Sequence, residues 1–108
     1  MKLKRLIFLF CYFYLTILHA QEPKKDIYDK SVPTPTLSGV RYGVHGRNVL
    51  DFWKAPSDKP TPVVIVIHGG GWNGGSKELL DKLVNTEELL KAGISVVAIN
   101  YRFIKQCT

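Results

Sequence analysis

The chain has 108 residues, with 15 lysines and arginines against nine acids, a net charge of +6, and 45% hydrophobic residues. That suffices for one small domain. Lys2, Lys4 and Arg5 account for half of the net charge, and the remaining basic residues are scattered among acids, so a nucleic-acid footprint is excluded.

The first 20 residues read as an export signal. A basic start is followed by the apolar run Leu6–Leu18, then His19-Ala20, then the polar stretch from Gln21. Thirteen residues fall short of the roughly 20 that cross a bilayer as a helix. Cleavage after Ala20 puts Leu18 where a small residue is usual, so an uncleaved anchor is the alternative. Cys11, preceded by Phe10 in mid-run, is a poor lipid-attachment site. The expected product begins at Gln21, is exported (periplasmic or extracellular) and keeps no stable membrane anchor. Of the cysteines only Cys107 would remain, which excludes a disulfide framework and a cysteine metal site.

Residues 21–38, interrupted by Pro23, Pro33 and Pro35, are expected to form an extended lead-in to a domain over residues 39–108. Val40–Val44 and Val49–Lys54 flank the polar turn His45-Gly46-Arg47-Asn48 and predict a β-hairpin. Asp51 and Lys54 read as hairpin or solvated-face residues. After the Pro-rich loop 56–62 comes Val63-Val64-Ile65-Val66-Ile67, an unalternating β-branched run suited to a strand buried on both faces. Residues 76–92 predict a helix in two pieces, the second restarted by a capping box at Asn85-Thr86-Glu87-Glu88 and stopped by Gly93. Ile94–Ile99 is a further buried strand, with Tyr101 and Arg102 fixing its end. The fold class is α/β: a hairpin followed by a βαβ unit with parallel strands.

The chemistry concentrates in His68-Gly69-Gly70-Gly71-Trp72-Asn73-Gly74-Gly75. Five glycines in eight residues are entropically costly and need a purpose. One purpose is to aim backbone N–H groups at a developing oxyanion, where each donor stabilises the transition state by about 3 kcal/mol.

His68-Gly69-Gly70-Gly71-Trp72 resembles the HGGG loop after the third strand of α/β-hydrolase esterases and lipases. Leu50-Asp51-Phe52-Trp53 is similar to the second strand of those enzymes, and Ala98-Ile99-Asn100-Tyr101-Arg102 to the end of their fourth. The likeness runs from about Gly39 to Arg102. It points to secreted bacterial carboxylesterases of the feruloyl-esterase-like (BD-FAE) and hormone-sensitive-lipase-like groups. The resemblance implies that Gly70 and Gly71 donate the oxyanion-hole N–H groups, with His68 and Gly69 bracing the loop and Trp72 walling the acyl pocket. The substrate would be a small-molecule or polysaccharide ester, with no cofactor and no metal.

The family's G-x-S-x-G nucleophile, acid and histidine do not follow. None of Ser31, Ser38, Ser57, Ser76 and Ser95 has glycines at −2 and +2, and His45 lies upstream, out of order for the base. The chain therefore reads as the N-terminal part of an α/β-hydrolase, expected to be inactive and poorly folded alone. By resemblance, the fourth strand lies between the second and third, leaving Val63–Ile67 as an open edge. Two alternatives stay open. One is a non-catalytic or degenerate secreted α/β module. The other is a dinucleotide site, since Gly69-x-Gly71-x-x-Gly74 fits G-x-G-x-x-G, although Trp72 is bulky there and no acid ends the following strand. For single residues, His68 could serve only the strand end and Trp72 only packing.

Overall fold

The computed structural model describes residues 27–107; the export-signal run and the first part of the lead-in lie outside them. Four strands form one mixed sheet: β1 (Leu37–Arg41), β2 (Val49–Trp53), β3 (Val63–Ile67) and β4 (Ser95–Ile99), in the spatial order β1-β2-β4-β3. β1 and β2 are antiparallel, β2 and β4 antiparallel, and β3 and β4 parallel without a register shift. A parallel β3–β4 pair needs a crossover, which residues 77–91 supply. β4 does lie between β2 and β3, and β3 is an edge strand among the described residues.

The hairpin forms, but its first strand runs over 37–41 instead of 40–44. The turn begins early because Asn48 organises it. The Asn48 side chain accepts from His45 N–H at 3.1 Å, and Tyr42 N–H donates to Asn48 O at 3.0 Å. A Cβ on Gly43 would stand 2.8 Å from Asn48 Oδ1, so residue 43 must be small. Val44, expected in the strand, is left fully exposed in the turn.

The crossover is in pieces, as its sequence suggests. A single 3-10 turn at Lys77–Leu79 runs into α1 (Leu80–Leu83), and α2 covers Thr86–Lys91. Asn85 caps α2 by accepting from Glu88 N–H at 3.2 Å. The C-terminus closes in a Schellman motif: Ile94 N–H bonds Leu89 O and Gly93 N–H bonds Leu90 O, with Gly93 at φ 79°. Trp53, Val66, Leu80, Val96 and Ala98 form the core between sheet and helices, flanked by Leu89, Leu90 and Tyr28.

Three expectations need correction. The run 63–67 is not buried on both faces: Val63, Ile65 and Ile67 are more than half exposed, because all the described helical packing lies on the other side. The lead-in is partly built into the fold, since the Tyr28 ring meets Trp53 edge-on at 5.2 Å and Trp53 Nε1 donates to Pro33 O at 2.7 Å. Asp51 is not on a solvated face; it is 1% exposed.

Candidate functional site: the glycine loop and its clamps

The loop leaves β3 at His68 and turns back on itself. Gly70 (φ 128°) and Gly71 (φ 60°) occupy the positive-φ region, and so does Trp72 at φ 65°, an uncommon conformation for a bulky residue. Such strain costs about 1–3 kcal/mol and concentrates at functional loops. Gly70 O accepts from both Asn73 and Gly74 N–H at 3.1 Å, closing the turn. A Cβ on Gly70 would collide with the Gly74 carbonyl, its carbon only 2.6 Å away, and one on Gly75 would stand 2.6 Å from His68 Nδ1. These two positions require glycine because backbone passes where a side chain would sit. The N–H groups of Gly70, Gly71 and Trp72 donate to no acceptor among the described residues. Successive free N–H groups in a left-handed turn form a concavity suited to an anion.

His68 is 3% exposed beneath this turn. Its Nδ1 lies 2.7 Å from Gly69 O, and since a carbonyl only accepts, the proton is on Nδ1. Nε2 is buried without a partner among the described residues. Tyr101 stacks on the imidazole at 4.4 Å and donates its hydroxyl to His68 O at 2.8 Å. Trp72 is 61% exposed, its ring tilted at 59° to that of Tyr101 with the centroids 5.6 Å apart. One depression of about 300 Å3 is lined by Ile27, Tyr28 and Pro33 with their neighbours, and another of about 210 Å3 by Ser31, Val32, Asp81 and residues 84–87; neither includes the loop.

What holds the loop from behind is less visible in the sequence. Arg47, in the hairpin turn, donates Nε to Tyr101 O at 2.9 Å and a terminal N–H to Gly75 O at 3.0 Å, with its guanidinium 3.9 Å over the Phe103 ring. Asn100 Oδ1 accepts Lys77 N–H at 2.7 Å, and Tyr42 Oη donates to Asn100 O.

Lys77, two residues past the last loop glycine, is 7% exposed and its ammonium lies 2.6 Å from Asp51 Oδ2 and 2.8 Å from Glu78 Oε1. Asp51 also accepts Tyr28 Oη at 2.6 Å, Gly39 N–H at 2.7 Å and Ser38 Oγ at 3.2 Å. Burial alone would raise the Asp51 carboxyl, but the bonds from Lys77, Tyr28 and Gly39 outweigh it and hold it below its ordinary value. The Glu78 carboxyl is lowered in the same way, against burial, by Lys77 and Ser76. Burial would lower Lys77, yet Asp51 and Glu78 raise it. The Tyr28 hydroxyl is pushed well up, first by burial and then by Asp51.

Sequence reasoning named His68, Gly69, Gly70, Gly71 and Trp72, and the structure gathers them into one turn. It missed Asp51, Lys77 and Arg47. For Asp51 a signal existed: it stands two residues before the core Trp53, so strand alternation points both to the same side. For Arg47 and Lys77 no local pattern distinguishes them from solvated cations.

Among the described residues no group of three or more His, Cys, Asp or Glu could hold a metal ion. Only one helical turn and the four-residue α1 follow the glycines, too little helix for the dipole that a pyrophosphate needs. The BD-FAE family model matches residues 50–108, more than half of the chain. Comparison with curated proteins and with solved structures found no match.

Proposed function

The chain belongs to the BD-FAE family, which is associated with feruloyl-esterase and α/β-hydrolase-like proteins, and on that premise we propose that it carries the oxyanion-stabilising part of an exported ester hydrolase. The observation that carries this reading is the positive-φ turn Gly70-Gly71-Trp72, whose N–H groups have no acceptor among the described residues. An ester's tetrahedral intermediate develops a negative oxygen that free N–H groups in such a turn can bind, and a pre-folded turn stabilises it without reorganising. Gly70 and Gly71 donate; His68, stacked under Tyr101, and Gly69 support the turn; Trp72 offers an exposed indole beside the acyl group. The substrate is a small-molecule or polysaccharide ester, and the basic, apolar N-terminus exports the chain. The catalytic serine, acid and base of the hydrolase motif are not supplied by these 108 residues in the family's form.

An 15N-labelled chain titrated with methylphosphonate, a tetrahedral oxyanion, tests the proposal. The amides of Gly70, Gly71 and Trp72 should shift together and saturate on the order of millimolar. Unmoved loop amides would favour the non-catalytic module. A response to NADPH at much lower concentration than to phosphonate would favour a dinucleotide site.

A further inference from the structure

The glycine loop is gripped by the segment that follows β4. Tyr101 Oη donates to His68 O at 2.8 Å where the loop begins, and Ile104 N–H donates to Trp72 O at 3.0 Å at its apex. Arg47, in the turn between β1 and β2, reaches both the loop and that segment. Its Nε–H donates to Tyr101 O at 2.9 Å, a terminal N–H donates to Gly75 O at 3.0 Å, and its guanidinium carbon stands 3.9 Å from the Phe103 ring centroid. The turn in its own right fixes the backbone of Arg47. The Arg47 N–H donates to His45 Nδ1 at 3.1 Å, and its carbonyl accepts Val49 N–H at 2.9 Å. The side chain therefore starts from a braced hairpin and ends on the last glycine of the loop and on the segment that grips the loop's start and apex.

We propose that Arg47 is a positioning residue for the oxyanion turn: it ties the loop and residues 101–104 into one unit and so holds Trp72 at positive φ. The proposal rests on the oxyanion reading for what the turn binds, but not for the clamp itself. Trp72 is the reason the turn needs holding. Glycine accepts positive φ at no steric cost, so in Gly70-Gly71-Trp72 the strain falls on the tryptophan, at φ 65°. A bulky residue keeps that conformation only where its surroundings over-determine it. Ile104 N–H holds the Trp72 carbonyl, but a flexible segment can grip only if it is itself anchored, and Arg47 anchors it at Tyr101 and at Phe103. Arginine suits the place because a planar fork meets two carbonyls while its face covers a ring. Lysine brings a compact point charge on a flexible stem and cannot make all three contacts. When the clamp is lost, anion affinity falls with the fraction of chains that keep the turn.

Arg47→Lys keeps the charge and loses the fork. A positive φ brings the N–H and Hα hydrogens of a residue close together, so Trp72 of the 15N-labelled full chain should show a strong NOE between them. Arg47→Lys should lose most of that signal and bind methylphosphonate about tenfold more weakly. Gly93→Ala strains a positive-φ position away from the loop and should leave both readouts unchanged, which separates positioning from a general loss of stability. Circular dichroism checks that Arg47→Lys folds. If it does not, Phe103→Leu removes the ring under the guanidinium, keeps both hydrogen bonds, and should reduce the Trp72 signal and weaken phosphonate binding about threefold. A parent chain without the Trp72 signal, a substituted chain that keeps it in full, or an equal loss in Gly93→Ala would each overturn the proposal. Loss of the signal on substitution, in a chain whose phosphonate response is absent or unchanged, would uphold the clamp and overturn the oxyanion reading instead.

Discussion

Replacing Asp51 by Asn keeps the shape of the side chain and removes its charge. In the folded chain Asp51 Oδ1 accepts Gly39 N–H and Ser38 Oγ, and Oδ2 accepts Lys77 Nζ and Tyr28 Oη. Asparagine can serve the first pair through its carbonyl oxygen, but it then turns an amide N–H2 toward Lys77 and Tyr28. The ammonium, 7% exposed, is left with Glu78 Oε1 at 2.8 Å as its ionic partner. Removing one partner of a buried pair costs about 3–5 kcal/mol, and the surviving Glu78 contact places this case near 3. That is about two orders of magnitude in the folding constant. The pH dependence supplies an independent check. Asp51 and Glu78 are depressed in the fold, so their stabilisation is present above the unfolded carboxylate range near about 4 and is lost as pH falls through the lower folded values. Lys77 is raised, so its contribution is full below about 10.4 and is lost as pH rises through the folded value. Urea denaturation followed by tryptophan fluorescence, with Trp53 packed against Tyr28 as reporter, measures both at one fixed protein concentration. Asp51→Asn should lower stability by about 3 kcal/mol near neutral pH and flatten the acid arm. Asp51→Leu combined with Lys77→Met should recover only part of the loss, because it removes the unpaired ammonium but leaves Gly39 N–H and Tyr28 Oη without their acceptor and Glu78 without its cation. A cost under about 0.5 kcal/mol, or an unchanged acid arm, would refute the reasoning.

Two glycines offer a contrast of mechanism. Gly70→Ala meets both a positive φ and the Gly74 carbonyl, and should cost at least about 3 kcal/mol together with the loss of phosphonate shifts at the loop. Gly93→Ala meets open space at φ 79°, and should cost only about 1–2 kcal/mol in urea melts while leaving phosphonate binding intact. Equal costs at the two sites would mean that backbone strain alone accounts for Gly70. For export, mass spectrometry of the secreted product should find an N-terminus at Gln21; an intact Met1 in the cytosol would contradict it.

By itself the sequence determined the identity of the elements and the place of the chemistry. The hairpin around a polar turn, the β-branched run 63–67, the restart at Asn85 and the stop at Gly93 follow from local rules of propensity, capping and conformational freedom, which act over a few residues. The glycine loop is legible for the same reason, since a dense glycine cluster after a strand has few structural uses. The tertiary structure alone decided which polar groups are buried and what braces the loop. Asp51 and Lys77 are 26 residues apart, and Arg47 reaches Gly75 and Tyr101 across 28 and 54 positions. Their pairing depends on strand order, and no local pattern encodes which cation a distant strand will bring beside a carboxylate. The strand 63–67 shows the same limit from the other side. Its apolar sequence asks for cover on both faces, but cover is a property of neighbours, and only the arrangement of the helices fixed which face received it.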